Sequence, residues 1–128
     1  MPGARLYEQT LRHFFPSAPG EFPRFDFVLL GMGEDGHTSL FPHTDALSQD
    51  ARCVVANWVE QPSTFRLTLT CPVLNHAAYV MFLINGRAKA EMVAKALNDP
   101  AAQLPCQRVA PLEGELAWYL DQQAGAKL

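Results

Sequence analysis

Several devices that small proteins use to hold themselves together, or to meet large partners, are missing from this 128-residue chain. It has only three cysteines, Cys53, Cys71 and Cys106, an odd number set far apart with no CxxC pair. That excludes a disulfide framework and a sequence-local zinc or redox motif, and predicts buried free thiols in a reducing compartment. Positive charge is also short: ten Lys and Arg against thirteen Asp and Glu give a formal net charge of −3. A nucleic-acid surface needs a clustered basic face, so no nucleic-acid partner is expected. A small anionic ligand stays open, because a pocket needs only one or two cations. No apolar run approaches the ~20 residues of a membrane span. The N-terminus lacks the apolar centre of a signal peptide. The expectation is a cytoplasmic protein with no membrane partner. Internal repeats and low-complexity segments are absent too.

What is present is an ordinary globular composition, 48% hydrophobic and 18% charged, of a length that suits a single domain over residues 1–128. Residues 4–15 carry Tyr7, Leu11, Phe14 and Phe15 at helical spacing, which predicts a helix with that face on a sheet. After a Pro/Gly loop, Phe27 to Leu30 is a continuous apolar run, the pattern of a strand buried on both faces of a parallel sheet. Residues 39–47 contain Pro42 and are expected to be irregular or a very short helix. Strands are predicted over 52–58, 65–70 (alternating apolar and polar), 79–84 and 116–120. Between them lie a short helix over 73–78, with Thr70 as its cap and Pro72 in its first turn, and a helix over 88–97 stopped by Asn98-Asp99-Pro100. Asp121 is expected to cap a last short helix. Strands alternating with helices and turns make the class α/β with a mostly parallel sheet flanked by helices.

The first apolar strand runs straight into Gly31-Met-Gly-Glu-Asp-Gly-His37. The glycines match G-x-G-x-x-G, a dinucleotide-binding pattern. Against that reading, a pyrophosphate cradle needs a helix N-terminus directly behind the glycines, and Pro42 interrupts the chain there. Glu34 and Asp35 would also set negative charge where phosphates should lie. A different reading fits better. Ligand and catalytic groups in parallel sheets gather beyond the carboxyl ends of strands, where Asp35 and His37 stand on glycine-hinged backbone. Histidine is the natural general base near neutral pH, and a carboxylate can fix its tautomer. No metal set is completed around His37, since His43 has no further partners at ligand spacing. Lys89 follows Gly86 near the start of a helix and can join backbone N–H groups in binding an anion. Arg66, on an alternating strand, either faces solvent or points a guanidinium into the same cleft.

Taken together, five motifs resemble a known family. Phe25 to Thr38 followed by Ser-Leu-Phe-Pro42, Arg66-Leu-Thr-Leu-Thr70, Pro72-Val-Leu-Asn75, Gly86-Arg-Ala-Lys-Ala90 and Trp118-Tyr-Leu-Asp121 are similar, in this order, to the signature of the 6-phosphogluconolactonases. The resemblance runs from about Tyr7 to the last residue. It implies a glucosamine-6-phosphate-isomerase-like (NagB/Rossmann-like) α/β fold. It also implies hydrolysis of 6-phospho-D-glucono-1,5-lactone to 6-phosphogluconate in the oxidative pentose phosphate pathway, without a cofactor. Carried onto this sequence, His37 becomes the base that activates water and Asp35 its neighbour. Lys89 becomes the residue on the substrate phosphate, and Arg66 a support of the site. Gly31, Gly33, Gly36, Thr38 and Gly86 are expected to line the substrate, with amides of the glycine turn steadying an oxyanion.

The resemblance covers the C-terminal half of the family, and the chain departs from its pattern in two places. The loop between Gly-His-Thr38 and Ser-Leu-Phe-Pro42 is a residue short, and Gln61-Pro-Ser-Thr stands for a Lys-Pro-Pro run. The expectation is therefore a fold truncated on its N-terminal side, weakly active or dependent on a complementary segment. Its open sheet edge should favour self-association. Two alternatives accompany the lactonase: a catalytically silent sugar-phosphate-binding module of the same fold, and an amino-sugar-phosphate isomerase or deaminase.

Overall fold

The computed structural model describes residues 1–38, 51–60 and 63–128. Among these residues a three-stranded parallel sheet forms from β1 (Val28–Leu30), β4 (Tyr79–Ile84) and β5 (Glu115–Leu120), in the order β1-β4-β5. Beside it, β2 (Val54–Val59) and β3 (Thr64–Leu69) make an antiparallel hairpin. Helix α1 (Pro2–Phe14) precedes the first strand, α2 (Cys71–His76) joins β3 to β4, and α3 (Ala90–Asn98) follows β4 after a 3-10 turn at Arg87–Lys89. The α/β class and the parallel sheet agree with the sequence reading, and the β4 bounds coincide with it. The predicted irregular segment at 39–47 and the break at Gln61-Pro62 lie outside the described residues.

Parallel registry Val28↔Val80 and Leu30↔Phe82, with Phe82↔Trp118 on the other side, aligns alternate residues on one inward face. Val80, Phe82 and Ile84 are buried there with Leu30, Leu74 and Val93, and the Phe82 and Trp118 rings stack at 4.1 Å. A second cluster joins Ala4 and Leu11 of α1 to Cys53, Val54 and Val73. All three thiols are free and buried. Burial raises each of them, Cys106 to about 11.

Four expectations are corrected. The β1 strand is not buried on both faces: Leu29 is 56% exposed, and Phe27, Leu83 and Tyr119 share that uncovered side. A continuous apolar run records what a strand can bury, and neighbouring elements decide whether it does so. Next, α1 seats only part of the face that periodicity suggested: Leu11 is buried and Phe15 packs on the second cluster, but Tyr7 and Phe14 are exposed, Phe14 by 76%, and Ala4 and Glu8 are buried with Leu11 instead. Then, α2 starts and ends two residues earlier than predicted. Thr70 is its N-cap residue, as expected, but the Thr70 hydroxyl donates to the Arg52 carbonyl at 2.6 Å and makes no cap bond to the helix. Last, residues after Asp121 form turns, not a helix.

Glu8 explains the seating of α1. Its carboxylate accepts from Arg12 Nη2 at 3.1 Å and from Arg52 Nε at 2.8 Å, tying the helix to the approach of β2. Burial alone would raise this carboxyl. The two guanidiniums and the backbone amides of Cys53 and Val54 outweigh that and hold it below its ordinary 4.5. A depressed carboxyl stabilises the fold fully above its unfolded value and loses that contribution as pH falls through the folded one. Glu8→Gln is therefore expected to cost about 1–3 kcal/mol near pH 7. In urea unfolding measured across pH, the difference from wild type should shrink as pH falls below about 4.

Candidate active site

β1 and β4 are parallel neighbours, so their carboxyl ends open at the same edge of the sheet. The glycine turn leaves β1 there, and the Gly86 turn leaves β4. Gly33 N–H donates to the His37 carbonyl at 2.8 Å, Gly36 N–H to the Gly33 carbonyl at 3.0 Å, and the Thr38 hydroxyl to the Gly31 carbonyl at 2.6 Å. The turn is thus closed on itself. Residues 37 and 38, the first two after the glycines, are not helical.

Within the turn, His37 Nδ1 lies 2.5 Å from Asp35 Oδ1, and the same oxygen accepts from the His37 backbone N–H at 3.2 Å. With Asp35 ionised, Nδ1 carries the proton and the basic lone pair falls on Nε2. Partial burial pushes the Asp35 carboxyl up, but the bonds and charge from His37 prevail and set it below its ordinary value. Gly33 makes the pairing sterically possible. A Cβ there would collide with the His37 ring and lie 2.9 Å from Asp35 Oδ1. Gly36 is needed for another reason, a φ of +83°.

His37 borders two clefts. One, of about 350 Å³, is lined by Gly31, Met32, Gly33, His37, Thr38 and Lys89. The other, of about 340 Å³, is lined by His37 and Arg66 together with Tyr7, Asn57 and Leu67 to Leu69. Lys89, Arg66, Gly31, Gly33 and Thr38 are therefore brought to the histidine. Arg66 is exposed and at the same time lines the second cleft, directly across the hairpin from Asn57. Gly36 and Gly86 line neither cleft: Gly36 packs against Leu104, and Gly86 N–H donates to both Asp121 carboxylate oxygens at 3.2 Å. Among the described residues, no group of three or more His, Cys, Asp or Glu side chains is placed to hold a metal ion.

Sequence reasoning missed how two motif residues, and one outside the motifs, serve this edge. Asp121 also accepts from Ala124 N–H at 2.7 Å, so it fastens β5 to the turn that delivers Lys89. Asn75 donates to the Arg108 carbonyl at 3.0 Å and accepts from Ala110 N–H at 2.7 Å, pinning the segment before β5. Asn57 was passed over as one polar residue in an apolar strand. The signal was its even spacing with Val55, which places both on the face that carries Arg66 and Thr68. The Gly33 geometry leads to a prediction. Gly33→Ala should swing the His37 ring off Asp35, abolishing the downfield Nδ1–H proton resonance that the wild-type pair is expected to show.

Comparison with known proteins bears on the family and the fold. A family model described as glucosamine-6-phosphate isomerases/6-phosphogluconolactonase matches residues 2–118. A 6-phosphogluconolactonase from a Nostoc species is 47% identical over 98% of this chain, and one from rat 39% over 98%. Among solved structures, the 6-phosphogluconolactonase of Trypanosoma brucei superposes over 100% of the chain with a TM-score of 0.86 at 31% identity. A structure titled devB protein does so over 99%, with a TM-score of 0.88 at 37% identity. The chain spans about half the length of the relatives it matches: 52% of the Nostoc protein, 49% of the rat protein and 53% of the trypanosome chain. A family model covering most of the chain, on a fold shared with these enzymes, places this protein in the glucosamine-6-phosphate isomerase/6-phosphogluconolactonase family.

Proposed function

We propose that this chain carries the hydrolytic side of a 6-phosphogluconolactonase site, turning 6-phospho-D-glucono-1,5-lactone into 6-phosphogluconate. The observation that supports it most is the Asp35–His37 pair standing between a cleft with Lys89 and a cleft with Arg66. His37 Nε2 takes a proton from water as the water oxygen bonds to the lactone carbonyl carbon. The carbonyl oxygen becomes an oxyanion, for which amides of the glycine turn are donors. The ester bond to the ring oxygen then breaks, and the proton held by His37 goes to that leaving oxygen. Asp35 keeps the imidazole in the useful tautomer throughout. Lys89 receives the substrate phosphate, with Gly31 and Gly33 beside it, and Arg66 supports the second cleft. We place this chemistry in the cytoplasm. No helix among the described residues is long and apolar enough to cross a membrane.

Kinetics separate these roles. With lactone loss corrected for spontaneous hydrolysis, His37→Ala should lower kcat by about 10²–10⁴. Lys89→Ala should mainly raise KM, by about tenfold to a hundredfold for one charge-assisted bond. Hydrolysis unchanged in His37→Ala would remove the base and leave a silent sugar-phosphate-binding module.

We also infer self-association. Parallel sheets are normally covered on both faces. Among the described residues, Phe27, Leu29, Leu83 and Tyr119, each more than half exposed, line one bare side, and β1 stands at a sheet edge. Light scattering should show oligomers that Leu29→Lys with Leu83→Lys shifts toward the monomer. A wild-type monomer at high concentration would refute this.

A further inference from the structure

In the second cleft one polar group has nothing to do. Asn57 is 4% exposed, and its Nδ2 is a buried donor with no hydrogen-bond partner. Buried polar atoms are nearly always paired, because burying an amide donor without an acceptor costs more than a good bond returns. An apolar residue would suit this strand position better for stability alone. Asn57 instead stands on the wall of the cleft that holds His37 and Arg66, opposite Arg66 in the hairpin registry. Its strand neighbours are conventional: Val55 on the same face is core, and Val54 on the other packs under α1.

We infer that Asn57 is a substrate-binding residue whose Nδ2 donates to a hydroxyl oxygen of the sugar part of the substrate. The assignment rests on the lactonase reading for the identity of the sugar. The division of the site supports a hydroxyl over the phosphate. Lys89 and the glycine turn make a cationic, amide-rich cleft on one side of His37. The Asn57 amide is neutral and carries no charge for a phosphate; its cleft shares His37 with the first and holds a cation, the exposed Arg66. A substrate whose carbonyl meets His37, with its phosphate toward Lys89, extends its remaining hydroxyls toward Asn57. Nδ2 itself is closed off here, so a turn of the Asn57 side chain toward the cleft gives the donor its acceptor when substrate binds, which makes the residue a reader of hydroxyl groups rather than a brace of the fold.

The test uses the whole chain, with Asn57→Leu removing the donor at similar volume and Asn57→Ser restoring a smaller one. Asn57→Leu should raise KM for the lactone up to about tenfold, with kcat changed less and the thermal midpoint not lowered, and Asn57→Ser should recover part of the loss. A ¹⁵N-labelled chain gives a second readout that does not depend on turnover. Adding 6-phosphogluconate should move the Asn57 side-chain amide resonances, whereas inorganic phosphate should move resonances near Lys89 and leave Asn57 unmoved. An unchanged KM in Asn57→Leu overturns the assignment, as does a lowered midpoint with KM intact, the mark of a purely structural residue. So does an Asn57 amide that stays still while other resonances titrate. Loss of the lactonase reading is seen separately, as hydrolysis indifferent to His37→Ala, and the product titration then decides Asn57 alone. A chain in which no resonance responds to 6-phosphogluconate overturns both.

Discussion

The parallel pairing of β1 with β4 is the constraint from which the site follows. Once Leu30 stands beside Phe82, both strands must end at the same edge, and whatever follows each of them is forced into the same space. The glycine turn follows β1, and Gly86 to Lys89 follows β4. A histidine and a lysine 52 positions apart in sequence therefore border one cleft without contact between their own elements having to be built. An antiparallel pair would have sent the two turns to opposite edges.

Holding that edge open takes particular residues. Gly33 surrenders its side chain so that the His37 ring can reach Asp35, and the Thr38 hydroxyl ties the turn back to Gly31. Asp121, at the end of β5, holds the Gly86 turn by its amide. The three parallel strands thus each contribute to the same rim: β1 the Asp35–His37 pair, β4 Lys89, and β5 the fastening. The hairpin brings Arg66 and Asn57 to a second cleft that also borders His37.

Much of the fold was legible along the chain because its cues are local. Apolar runs of strand length, Asn85-Gly86 and Asn98-Asp99-Pro100 act within a few residues, and β4 was read to its bounds for that reason. Phe14 and Leu29 misled for a shared reason. Periodicity reports which face is apolar, and neither residue meets a covering element among those described. Glu8 shows the reverse: a charged residue is buried because two arginines, one of them the distant Arg52, neutralise it there.

By itself, the amino-acid sequence determined the class of the fold, the order of its strands along the chain, and the candidate chemistry of Asp35, His37 and Lys89. Those properties depend on residue type and short spacing. Only the tertiary structure decided that Arg66 and Asn57 line one cleft with His37, that Gly36 and Gly86 serve the turns' geometry, and that the Asn57 Nδ2 is buried without a partner. Each of these depends on which strands pair and in what register, and that is settled by burial across the sheet, far from the residues concerned.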